Sequence, residues 1–382
     1  MEKLIYIIAS IFCITVCLTM GMVLLCIRPG SKVYNSQYQL AKKWLIALYF
    51  IGAAGYSLIF HNEVIDYYDP TIEIFPFSIT FISSVQVLLF TYTIIALFRS
   101  KHAIYRKAFR ALIPLLIICL AYIISVRTAG NPRLGSFTEL QQNIAHPTTL
   151  IRFFFVVFYF GLLFRFSIVF AREKKRFCEK IENYFSNTEQ VQLRWASISF
   201  TLAIIISILN LVIYTVPSRF YAACITFILG GFYVAFAIQY INYQLFDALI
   251  YHATENNNTP EKTEKTDDNL LEEKIHQWKL SEKPYLIQGI TIEDVASQLN
   301  VNRKVLSFHI NSVYGCNFNS WINQMRIEET IDILTREPSK NISEISEMVG
   351  FGDKSILCRQ FKKYTGETVT SWRNRQKNLS NC

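Results

Sequence analysis

The sequence predicts an all-α protein in two parts: a seven-helix transmembrane bundle, then a small soluble helical domain with two helix-turn-helix units. Three observations point there: the composition, the alternation of charge between loops, and the spacing of apolar residues near the C-terminus. Of 382 residues, 52% are hydrophobic and only 18% charged, where an average soluble domain carries about 25% charged residues. That balance excludes a disordered, collagen-like or disulfide-stapled chain. The 9 cysteines form no CxxC pair and lie mostly in apolar runs, where a free thiol behaves as a small hydrophobe. No disulfide framework and no metal site are expected.

A hydrocarbon core about 30 Å thick needs about 20 apolar residues as helix. Seven stretches qualify: about 4–27, 44–61, 75–98, 111–127, 150–171, 195–216 and 220–245. The second and fourth are short, and the fourth holds Pro114, which a membrane helix tolerates. The first run is too long for the apolar region of a cleavable signal peptide, and no small-x-small site closes it.

Charge orders these spans. Residues 1–250 carry 21 Lys+Arg and 11 Asp+Glu, whereas residues 251–382 carry 17 and 18. The basic excess sits in alternate loops: Arg28, Lys32, Lys42 and Lys43; then Arg99, Lys101, Arg106, Lys107 and Arg110; then Arg172, Lys174, Lys175, Arg176, Lys180 and Arg194. The intervening loops hold few cations, and one carries Glu63, Asp66, Asp69 and Glu73. The positive-inside rule places the basic loops and the C-terminus in the cytoplasm and the N-terminus outside.

Three domains follow: residues 1–250 as the membrane domain, 251–283 as a cytoplasmic linker, and 284–382 as the soluble domain. The linker opens with HATENNNTPEKTEKTDDN, whose composition cannot support a packed core, and ends in a short helical piece, LLEEKIHQWKL.

Within the soluble domain, apolar residues recur at helical spacing. Ile292, Val295, Ala296 and Leu299 mark one short helix. After Asn302, a good N-cap, Val305, Leu306, Ile310 and Val313 mark a second, closed by Gly315. Trp321, Ile322, Met325, Ile327, Ile331 and Leu334 mark a longer helix. Ile342, Ile345, Met348 and Val349 give another short one. Asp353 caps the next, with Ile356, Leu357 and Phe361 buried and Gly366 at its end. The short-turn-short pattern therefore occurs twice, joined by one long helix. A helix-turn-helix puts its second helix into the DNA major groove, although small helical domains with other roles share the spacing.

The residues also carry a resemblance. ISEISEMVGFGDKSILCRQFKKYTG (342–366) resembles the second helix-turn-helix of the AraC/XylS transcription regulators, TIEDVASQLNVNRKVLSFHINSVYG (291–315) the first, and FNSWINQMRIEETIDIL (318–334) the connector between them. The resemblance covers about residues 284–378. Val369 stands where that family usually has Pro, and Ser346 replaces a common Ala. The resemblance implies a bipartite domain that binds double-stranded promoter DNA, with RNA polymerase as a partner and a homodimer as a possible form.

Opposite Leu306 and Ile310, the first recognition helix presents Arg303, Lys304 and Ser307. The second presents Lys354, Ser355 and Arg359. By resemblance these positions reach base edges or adjacent phosphates, and Arg can bond guanine bidentately. Lys362, Lys363, Arg373 and Arg375 suit phosphate contacts, which set position and not sequence. Lys340 and Lys377 read as surface charges. Residues 284–382 carry 12 Lys+Arg and 10 Asp+Glu, so DNA affinity is expected to be modest and salt dependent.

No catalytic signature is present: there is no HExxH, GxSxG, P-loop or glycine-rich dinucleotide fingerprint. No catalytic residue, cofactor or metal is expected. Gln86, Asn210, Gln239 and Arg165 are the polar residues at membrane depth, where interhelical hydrogen bonds or snorkelling compete with a role in binding. The expected function is a membrane-tethered transcription regulator that answers a small-molecule or peptide signal, in a bacterial cytoplasmic membrane. A transporter with a fused DNA-binding reporter domain is the alternative.

Overall fold

The computed structural model describes residues 1–27, 36–65, 73–98, 102–187, 193–213, 215, 218–255 and 268–380. Of the expected linker, residues 256–267 lie outside the described residues. Among those described there is no strand, and one isolated antiparallel bridge joins Phe185 to Thr291.

The apolar part contains eight helices among the described residues: α1 (Glu2–Cys26), α2 (Ser36–Ile65), α3 (Phe77–Phe98), α4 (His102–Ala129), the short α5 (Phe137–Gln142), α6 (Pro147–Glu182), α7 (Arg194–Ile213) and α8 (Arg219–Glu255). All but α5 are long and apolar enough to cross a membrane, so the seven expected spans are all present as helices. The two short candidates extend to Tyr38–His61 and Ala108–Ala129. Ser136 caps α5 by accepting from the Glu139 amide at 3.2 Å, a turn the sequence reading did not anticipate.

The chain divides into two compact units, Met1–Lys175 with Leu193–Tyr251, and Arg176–Gln192 with His252–Cys382. The division falls inside α6, which is continuous across it.

In the first unit α1, α2 and α3 pack in succession, and α3 is the most buried of the membrane-length helices. Close approach is bought with small residues: a methyl group on Gly55 would lie 2.8 Å from Ile82, and one on Gly230 2.6 Å from Phe12. Aromatic side chains fill the rest. The Tyr49 hydroxyl donates to the Tyr233 carbonyl at 2.7 Å, and the Tyr240 hydroxyl to the Tyr38 carbonyl at 2.7 Å. By contrast, α4 exposes Ile113, Leu116, Ile117, Leu120 and Ile124. A helix apolar all round with one face left uncovered suits lipid contact.

The second unit holds α9 (Asp268–Leu280), a 3-10 turn at Pro284–Leu286, α10 (Ile292–Gln298), α11 (Arg303–Val313), α12 (Phe318–Arg336), α13 (Ile342–Met348), α14 (Lys354–Thr365) and α15 (Val369–Ser380). The helix expected within the linker, α9, is packed into this unit. Leu271, Ile275 and Trp278 are buried, Trp278 stacks on Trp321 at 5.7 Å, and its indole N–H donates to Gln298 at 2.6 Å. One core joins Ile327, Leu334, Ile345, Val349, Leu357, Phe361 and Trp372. Two expected core residues are exposed, Val313 and Met348. Each is the last residue of its helix. Instead His309 completes the buried stripe with Leu306 and Ile310.

Candidate nucleic-acid interface

Each helix-turn-helix is set by its caps. In the first, Thr291 and Asp294 form a reciprocal capping box that starts α10. Asn300 takes the left-handed conformation in the turn, and Asn302 starts α11 by accepting from the Lys304 amide at 2.8 Å. In the second, Asn341 caps α13, and Asp353 caps α14 by accepting from Ile356 at 2.9 Å. Gly350, at φ +77°, makes the turn between them. A methyl group there would fall 2.1 Å from the Leu286 carbonyl oxygen, so only glycine fits.

Between the two helix-turn-helices, α12 has 19 residues and is about 28 Å long at 1.5 Å per residue. That is comparable with the roughly 34 Å between successive major grooves on one face of DNA. On it sits a residue that the sequence reading passed over. Arg326 is 0% exposed; its Nε donates to the Tyr285 carbonyl and an Nη to the Ile287 carbonyl, both at 2.8 Å, and its guanidinium lies 5.6 Å from the Phe351 ring. Burial pushes its pKa down to about 10, which leaves it charged at neutral pH. It ties the 3-10 turn and the second helix-turn-helix to the connector. The outer acids of α12 are paired, Glu328 with Lys279 and Glu329 with Lys283.

The candidate DNA-contacting residues fall on two outward faces. Lys354, Ser355, Arg359, Lys362 and Lys363 are all exposed on α14. On α11, Lys304 is exposed while Arg303 and Ser307 are half-buried. Two of the other cations are held within the domain: Arg375 pairs with Glu367 at 2.6 Å, and Arg373 donates to the Lys340 carbonyl. Lys340 itself bridges Glu337 and Glu344.

The α11 face also contains Phe308, 72% exposed, and Asn311. With Lys304 and Ser307 they follow the i, i+3, i+4, i+7 rule, a spacing that could have revealed them. An exposed Phe next to cations suits a thymine methyl, and Asn suits adenine.

The half-burial of Arg303 has a cause within the second unit. Its guanidinium lies 5.4 Å from the Tyr184 ring. The Tyr184 hydroxyl donates to Glu293, and burial, then that hydrogen bond, pushes the phenol pKa up. Lys180, Asn183 and Tyr184 line one groove with Arg303, Lys304 and Ser307.

A family described as a helix-turn-helix domain matches residues 295–375. Residues 295–375 form an AraC-type helix-turn-helix domain. Among similar proteins, the HTH-type transcriptional regulator RipA of Corynebacterium diphtheriae is 32% identical over 73 residues, 19% of this chain and 21% of that protein. The Msm operon regulatory protein of Streptococcus mutans is 28% identical over 90 residues, 24% of this chain and 32% of that protein. The chain thus spans a fifth to a third of the length of these curated relatives. No solved structure matches it. Val369, in place of the usual Pro, opens α15 as a buried residue, and the Ser346 hydroxyl bonds back to the Ser343 carbonyl at 2.8 Å. Both departures are absorbed without a break in the fold.

In the apolar unit, Gln86 and Asn210 line one cavity with Tyr159, Phe90, Ser207 and Phe232. Asn210 donates to the Ser83 hydroxyl at 3.1 Å, while the Gln86 amide nitrogen, buried, has no hydrogen-bond partner among the described residues. A second polar cluster escaped the sequence reading. Arg152, on the first turns of α6, pairs with Glu73 at 2.9 Å and also donates to Asn131 and Tyr122.

Proposed function

We propose that this protein is a membrane-tethered, sequence-specific transcription regulator. In this reading residues 1–250 form a membrane domain that receives a signal, residues 251–283 a linker, and residues 284–382 a cytoplasmic promoter-binding domain. The N-terminus lies outside. The observation that carries the reading is one chain with seven membrane-length helices and an AraC-type domain whose two recognition helices turn cations outward.

The chemistry follows from the two faces. Arg303, Lys304 and Ser307 on one helix, and Lys354, Ser355 and Arg359 on the other, read base edges or flanking phosphates in successive major grooves. Lys362 and Lys363 hold the backbone. RNA polymerase and a second copy of the chain are the partners that promoter action calls for. The cavity of Gln86 and Asn210 is the receiving point. It has apolar walls, hydroxyl and amide groups and, among the described residues, no charged lining residue, so it suits a neutral, mainly apolar signal. Such a ligand acts only through a difference in affinity between two states of the membrane domain.

The test is genome-wide DNA occupancy of the full-length protein in its own cells, beside Arg359→Ala. Sharp peaks lost in the variant are expected. Identical occupancy in both would remove the sequence-reading role from the second recognition helix.

A further inference from the structure

The strongest feature that the function above leaves unused is the segment from Arg176 to Asn187, where α6 ends. It belongs to the same compact unit as the DNA-binding helices. Its attachment is extensive. Ser186 donates its amide to the Ile290 carbonyl at 3.2 Å, and the Ile292 amide donates to the Tyr184 carbonyl at 3.0 Å, flanking the Phe185–Thr291 bridge. The Asn319 side-chain amide donates to the Phe185 and Ser186 carbonyls at 3.2 and 2.6 Å, and that of Asn317 to Glu182 at 3.1 Å. Phe177, Ile181, Tyr184 and Phe185 are all buried. Asn187 reaches the turn of the second unit, where a methyl group on Gly352 would come within 3.0 Å of its side-chain nitrogen.

This attachment faces the first recognition helix. The outward residues of α11, Arg303, Lys304, Ser307, Phe308 and Asn311, line a groove whose opposite wall is Lys180, Asn183 and Tyr184. A recognition helix works inside a major groove about 12 Å wide, with phosphate backbones on both sides. A helix with its side chains is about 10–12 Å across. The end of α6 therefore occupies space that a flanking DNA backbone requires, and Tyr184 holds the face of Arg303.

We propose that residues 176–187 are a built-in competitor of DNA for the first helix-turn-helix, so that the structure is the closed state of the regulator. The second recognition helix stays exposed, and full two-groove binding requires the clasp to open. Because the clasp continues the fifth membrane-length helix without a break, a change in that helix has a direct route to the DNA-binding face. This inference rests on the DNA-binding role proposed above and adds its regulation.

The bridge supplies a reversible test. Phe185 and Thr291 form a non-hydrogen-bonded antiparallel pair, a geometry with Cα atoms about 4.5 Å apart, inside the range a disulfide spans. Full-length Phe185→Cys/Thr291→Cys protein in lipid nanodiscs is incubated with sheared genomic DNA of its own cells, oxidised and then reduced. Oxidation is expected to lower specific DNA capture at least tenfold, and reduction to restore it. Tyr184→Ala/Phe185→Ala, with no lock, is expected to exceed wild type about tenfold. Equal capture by the oxidised and reduced forms overturns the proposal. So does weaker capture by Tyr184→Ala/Phe185→Ala, which would make the segment, through Lys180, part of the DNA surface. Arg359→Ala in the reduced protein separates the two readings. Capture that depends on Arg359 but ignores the lock sinks the clasp alone, whereas no capture by any form sinks DNA binding and the clasp together.

Discussion

Arg326 donates from Nε to the Tyr285 carbonyl at 2.8 Å, across 41 residues of chain. A buried cation with two carbonyl partners and an aromatic face is a structural tie. Removing it strands the buried Tyr285 carbonyl, at a cost of about 1–3 kcal/mol, whereas the Ile287 carbonyl still accepts from the Ile290 amide at 3.4 Å. Arg326→Met is expected to destabilise the second unit by about 1–3 kcal/mol, and Arg326→Lys to recover only part of that, because a point charge cannot replace the guanidinium fork. Thermal unfolding of both variants checks this. An unchanged midpoint for Arg326→Met would refute the role.

Gly350 and Gly315 both have positive φ, but only Gly350 faces backbone. Gly315→Ala should cost only the left-handed penalty of about 1–2 kcal/mol. Gly350→Ala should cost clearly more, because the Leu286 carbonyl must move as well. The comparison is made by denaturant unfolding, and equal losses would contradict the packing argument.

On the proposed DNA-binding reading, the cations of α14 divide by role. Arg359→Ala is expected to cost about 1–3 kcal/mol of discrimination at one base pair of the operator. Lys362→Ala should weaken binding evenly across sequences and reduce the salt slope by about one ion. Titrations on matched and mutated operator DNA at several salt concentrations distinguish the two patterns.

Glu272 binds α9 to the first helix-turn-helix by accepting from His309 at 2.9 Å and from Tyr314 at 2.8 Å. Burial pushes its pKa up, but the two hydrogen bonds and the nearby imidazoles prevail, and the net shift is downward. A carboxyl depressed on folding adds stability above the ordinary value of about 4.3, and loses it as pH falls through the lower folded value. Glu272→Gln should therefore remove one contribution to acid sensitivity below about pH 4.3, read as a flatter melting temperature against pH. A profile parallel to wild type would rule the linkage out.

The Arg152 side chain is 2% exposed and carries the ion pair to Glu73 where α3 and α6 begin. Breaking a fully buried pair from one side typically costs about 3–5 kcal/mol, and the half-buried Glu73 puts this pair below that range. Arg152→Met should therefore lower the thermal stability of the full chain in nanodiscs. Glu73→Gln should do less harm, because Asn131 and Tyr122 still receive the guanidinium. Equal losses would show that the carboxylate, and not the cluster, holds Arg152.

The seven apolar helices and the buried faces of α11 and α14 were legible in the sequence because both are local. Twenty apolar residues in a row, or Leu306 and Ile310 four apart with Arg303, Lys304 and Ser307 opposite, carry their meaning within a few turns of helix. The caps at Asn302 and Asp353 are local in the same way. Phe308 and Asn311 lie on the same outward stripe and were missed, because an aromatic on a helical stripe reads first as core. Burial of Arg326, the Arg152–Glu73 pair, the cavity shared by Gln86 and Asn210, and the hold of residues 176–187 on α10 and α12 were decided only by the tertiary structure. Each joins ordinary polar or aromatic residues far apart in the chain, Tyr184 to Glu293 across 109 positions and Glu182 to Asn317 across 135. Helical periodicity says which face of a helix is buried. It does not say against what, because that choice is made by packing between elements whose faces look alike in sequence.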